Sequence, residues 1–112
     1  MTVRLFLAQR ITAAILAPLV ICHLVIIVYA TLKGLSAADI LGRTRGSFAW
    51  ALFYGLFVVA AAVHGAIGLR TILHEWGPRA AARSPRVLDA AMWGAGLLLA
   101  GFGLRAVYAV VA

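Results

Sequence analysis

The stretch ITAAILAPLVICHLVIIVYATL, residues 11–32, contains no Asp, Glu, Lys or Arg. A hydrocarbon core of about 30 Å is crossed by about 20 helical residues, so this run is long enough to span a bilayer. Lipid offers no partners to backbone N–H and C=O groups, which makes a helix the form such a run must take. Two further apolar runs follow, at about 48–73 and 87–112. The sequence therefore predicts an all-α integral membrane protein, a single membrane-anchor domain over 1–112 with three transmembrane helices.

Composition agrees. The 112 residues are 65% hydrophobic and 12% charged, with mean hydropathy +1.06. Soluble domains are about half apolar and about one quarter charged, so folding in water would leave a large apolar surface exposed. The basic N-terminal stretch MTVRLFLAQR before the first run suggests a signal peptide. The run is too long for an h-region of about 7–15 residues, and it carries a histidine at mid-depth, so a helix of the mature protein is expected.

Ten Lys/Arg against three acids give a net charge of +7. Nucleic-acid binding is excluded as the reason, because the cations lie in the gaps between apolar runs and form no patch. One side of the membrane holds Arg4, Arg10, Arg70, Arg79, Arg83 and Arg86, and the other Lys33, Arg43, Arg45 and Arg105. The richer side is expected to be cytoplasmic, together with the N-terminus. Location in a bacterial inner membrane is expected. Tyr29, Trp50, Tyr54 and Tyr108 are placed toward the outer boundary, and Trp76 and Trp93 toward the inner one.

The first loop, KGLSAADILGRTRGS, suits a brief interfacial helix over 36–41. The second, HEWGPRAAARSPR, carries Gly77, Pro78 and Pro85 as helix stops. Pro18 removes one backbone bond and predicts a bend near Ala14. The single cysteine, Cys22, excludes a disulfide or a cysteine-ligated iron–sulfur site within this chain, and a buried packing role is expected for it.

Two histidines lie well inside spans, His23 in VICHLVI and His64 in HGAIGLRTILHEWG. Ionisable residues at such depth are functional candidates, and the bland alternative is a hydrogen bond between helices. No carboxylate or second histidine stands at i±3 or i±4 of either, so neither helix presents a chelating pair. Axial ligation of a haem needs only one imidazole from a helix. Gly68 and Ala60 flank His64 by one turn and leave room for a flat macrocycle, while Gly65, Gly96, Ala100 and Gly101 suit close helix packing. Arg70 is a candidate partner for a haem propionate, or a snorkelling anchor. Counted from Arg70 and Arg10, the two histidines differ in depth by roughly 10 Å, which disfavours one shared haem and favours single ligation of two.

The elements Gln9-Arg10 and His64-x-x-x-Gly68-x-Arg70, with Glu75 beyond, resemble the cytochrome b membrane anchors of the succinate dehydrogenase and fumarate reductase family. The resemblance implies that His64 ligates the haem b nearer the cytoplasm. It implies that His23, fourteen residues after Gln9, ligates an outer haem, as in diheme types built from two anchor polypeptides. The chain then forms half of a larger helical bundle. Its implied partners are a second anchor with intramembrane histidines, an iron–sulfur subunit and a flavoprotein, with electrons passing between iron–sulfur clusters and a membrane quinone. Arg10, Arg70 and His74 would lie near propionates or the docking surface, and Glu75 and Asp39 at the two edges. The sequence departs from ubiquinone-type anchors in having Phe6 where a quinone-site serine stands, and Thr12-Ala13 for Ser/Thr-Gly. Two alternatives stay open: a haemless packing subunit, and a b-type subunit of another dehydrogenase.

Overall fold

The computed structural model describes residues 2–112 as five helices: α1 (Val3–Lys33), α2 (Ala37–Thr44), α3 (Phe48–Trp76), α4 (Arg79–Ala82) and α5 (Pro85–Val111). The fold is all-α, and α1, α3 and α5 are each long and apolar enough to cross a membrane. The molecule measures 50 × 22 × 22 Å.

α1 begins eight residues earlier than the apolar run. The side-chain oxygen of Thr2 accepts a hydrogen bond from Leu5 N at 3.3 Å and caps the helix. Arg4 and Arg10 interrupt the hydropathy but are good helix formers, so helicity continues past the point where the apolar run starts. At the other end Gly34 adopts φ 64° and donates its N–H to Ala30 and Thr31, a left-handed cap that suits glycine. The helix runs through Pro18 as one element.

The helix expected in the first loop, α2, is longer than expected, reaching Thr44. It opens on a capping box in which Ser36 and Asp39 satisfy each other's backbone N–H groups. It closes against the far end of the chain. Thr44 donates its hydroxyl to Val110 O at 2.6 Å, and Gly46 N–H donates to Val111 O at 2.8 Å. The last carbonyls of a helix lack internal partners, and this loop supplies two for α5. The short α4 lies in the stretch read from sequence only as helix stops.

α3 packs against both α1 and α5. Its buried residues are Ala60, Ala62, Ala66 and Ile67, mostly small side chains. In lipid no hydrophobic force drives helices together, so close packing of small residues does the work. A Cβ on Gly96 would lie 3.2 Å from Ala66 Cβ, and one on Gly103 only 2.5 Å from Val58 Cγ1. Gly65 faces Leu99 in the same way, whereas Gly101 has nothing within 4 Å and serves no helix contact here.

Large apolar residues point outward instead, among them Val25, Leu97 and Phe102. Cys22 is exposed too, against the expectation of burial. In a bilayer the outward face is the apolar one, so an apolar thiol gains nothing by turning inward.

Candidate functional site

Both histidines sit on the seam between α1 and α3, each against a hydroxyl of the facing helix. His64 Nδ1 lies 3.2 Å from Thr12 Oγ1. Thr12 is only 8% exposed, and its hydroxyl also reaches Ala8 O at 2.7 Å and Gln9 O at 3.1 Å. A threonine hydroxyl has one proton, and the short contact to Ala8 O takes it. The contact to His64 is then made by Nδ1–H donating to Thr12 Oγ1. This assigns His64 the Nδ1–H tautomer, in which the Nε2 lone pair is free.

His23 has a different surround. Tyr54 OH stands 3.5 Å from its Nδ1, and Tyr54 and Phe57 present their rings edge-on at 5.6 and 5.4 Å. Trp50 stacks on Tyr54 at 5.7 Å. Tyr54, placed from the sequence toward the outer boundary, turns its side chain into the seam. Its ring and hydroxyl together hold the imidazole of His23.

Neither Nε2 makes a hydrogen bond among the described residues, and neither is sealed inside the chain. Gln9 Oε1 is the one buried side-chain oxygen or nitrogen there without a partner. It lies beside Gly68, where a Cβ would be 3.5 Å from Gln9 Nε2. Gly68 thus faces α1, with the Gln9 amide at ordinary van der Waals distance from where its Cβ would be.

The contacts also set the depth of the two sites. Gln9 stands opposite Gly68, Thr12 opposite His64, and His23 opposite Tyr54. His23 is eleven residues beyond Thr12, so the two sites are about 16 Å apart along α1.

The remaining expected residues lie apart from the imidazoles. Arg70 Nε donates to Asp89 Oδ1 at 3.0 Å, joining α3 to the first turns of α5. Arg10 is exposed, with its guanidinium 5.6 Å from the Phe6 ring centroid. His74 and Glu75 are exposed near the end of α3, and Asp39 serves the α2 cap. Thr12, Tyr54 and Asp89 were not read as site residues from the sequence. One cue was available for Asp89: an acid just inside the third apolar run, on the same side as Arg70.

The model of a known family, the succinate dehydrogenase/fumarate reductase transmembrane subunit, matches residues 1–107. The chain belongs to this family. The matched region takes in all of α1 to α4 and most of α5, and so both histidine sites. No curated protein and no solved structure matches the chain. As a member of the family it is a multi-pass membrane subunit, with other subunits of such a complex as its natural partners.

Proposed function

We propose that the chain is a haem b-bearing anchor of a succinate dehydrogenase or fumarate reductase complex, carrying electrons between iron–sulfur clusters and membrane quinone. The observation that carries this reading is the Thr12–His64 contact: with the Thr12 proton on Ala8 O, Nδ1 carries the imidazole proton and Nε2 of His64 is the nitrogen left for a metal. Imidazoles that ligate metals characteristically have their other nitrogen held by a hydrogen bond.

The residues fit haem b on the chemistry of the donors. Each site offers one imidazole, and no group of three His, Cys, Asp or Glu gathers among the described residues. One axial position per site is what a shared haem requires from each of two chains. His64 would hold the inner haem and His23 the outer, with second ligands from a partner anchor. When bound, haem supplies one-electron transfer, and the chain supplies ligand orientation and local charge. Arg70 already has a partner in Asp89, so any propionate contact there shares the guanidinium. The apolar outer faces of α1 and α5 are suited to lipid and to the partner anchor. The N-terminal ends of α1 and the α3–α5 loop would face the cytoplasm, toward an iron–sulfur subunit and a flavoprotein.

The two interhelical hydrogen bonds also favour a second reading, in which the histidines only pin α1 to α3 in a haemless packing subunit. Purification of the complex through a tag on this chain separates them. Low-spin b-type bands with co-purifying flavoprotein and iron–sulfur subunits support the first reading. A colourless membrane part supports the second, and a different set of partners points to another dehydrogenase.

A further inference from the structure

A groove of about 440 Å³ opens beside His23, between the α2-bearing ends of α1 and α3. Its walls include Tyr29, Leu35, Trp50 and Tyr54, and Arg43 of α2 stands among the lining residues. Arg43 is the only Lys or Arg there, and no Asp or Glu lines the groove. The α2 cap places it. Thr44 is fastened to Val110, and Ile40 and Thr44 line the neighbouring cavity that also touches His23. Arg43 makes no salt bridge among the described residues, where Arg70–Asp89 is the one pair. The acid on its own helix, Asp39, has Oδ2 engaged by Ser36; it feels the Arg43 charge but forms no ion pair with it.

An imidazole within the apolar span and a guanidinium without a salt bridge toward its edge match one kind of ligand: a flat apolar body with a carboxylate edge. We propose that Arg43 is a positioning residue that pairs with the propionate side of the haem held by His23. This rests on the reading of His23 as an outer haem ligand. A fatty acid or anionic lipid would share the carboxylate or phosphate chemistry but has no use for the imidazole. A cation held beside the porphyrin disfavours the ferric state, which carries one more positive charge than the ferrous. Arg43 therefore raises the potential of the outer haem, while the inner haem, about 16 Å deeper, is screened from it by distance.

The test is a redox titration of the intact complex carrying Arg43→Gln, Arg43→Lys or His23→Ala, followed in the haem bands. Loss of one b-type haem in His23→Ala, a lowered midpoint of that same haem in Arg43→Gln, and recovery in Arg43→Lys are expected. If His23→Ala loses one haem but Arg43→Gln moves neither midpoint, the role of Arg43 is overturned. If His23→Ala keeps every haem, the outer-ligand reading itself fails. The inner-haem band serves as the check that each variant has assembled.

Discussion

Thr12 Oγ1 stands 3.2 Å from His64 Nδ1 while its proton is directed to Ala8 O at 2.7 Å. The hydroxyl thus acts as acceptor to the imidazole and decides which ring nitrogen is left bare. Thr12→Val keeps the shape and removes the acceptor. Loss of such a supporting bond typically weakens metal binding by about 10- to 100-fold. Haem should be lost from the inner site at detergent or chelator levels that the parent complex withstands, as measured by absorbance after gel filtration. Thr12→Ser should restore retention.

The Arg70–Asp89 pair joins two helices near the membrane edge, with Arg70 19% and Asp89 55% exposed. A pair this open to solvent is worth about 1 kcal/mol or less and is screened by salt. Asp89→Asn should therefore lower the thermal midpoint only slightly at low salt, with the difference fading at high salt. If Arg70 instead turns to a propionate once Asp89 is gone, the inner haem's potential shifts, and a redox titration of the same variant shows it.

The α3–α5 seam makes a sharper stability prediction. A Cβ on Gly103 would fall 2.5 Å from Val58 Cγ1, whereas Gly101 has open space. Overpacking of a tight contact costs about 1–3 kcal/mol. Gly103→Ala should lower the melting temperature of the complex in detergent, and Gly101→Ala should leave it unchanged or slightly raised.

Asp39 gives the α2 cap a pH dependence. Hydrogen bonds from the Ser36 backbone N–H and hydroxyl, with a smaller contribution from Arg43, hold its pKa below the ordinary value of 3.8. A carboxyl whose folded pKa is depressed stabilises fully above its unfolded value and loses that contribution as pH falls through the folded one. The α2 amides should therefore keep their protection from hydrogen exchange down to about pH 4 and lose it progressively in more acid solution. Asp39→Asn should exchange faster at neutral pH and show no such acid step.

The three spans were legible because hydropathy alone decides where a helix meets lipid. Register between helices was not legible, since it depends on which residues face each other. Counting depth from Arg10 and Arg70 assumes that the two stand level. With Gln9 opposite Gly68, Arg10 falls opposite Ile67, and Arg70 lies three residues, about 5 Å, further toward the polar edge. That accounts for most of the gap between the expected separation of roughly 10 Å and the value of about 16 Å that the interhelical contacts imply. The contacts of Thr12 and Tyr54 with the histidines were not legible for the same reason. A threonine or tyrosine in an apolar run looks like a tolerated residue until the helix opposite it is known. Cys22 shows the reverse case, an apolar side chain whose burial cannot be inferred where lipid is the solvent.

The central claim is that His64 offers a free Nε2 to a haem. The most direct measurement is the reduced-minus-oxidised spectrum of the purified complex carrying His64→Ala, beside the parent. Loss of one low-spin b-type component, with the subunits still assembled, is the predicted result. Retention of every b-type band in that variant would contradict it.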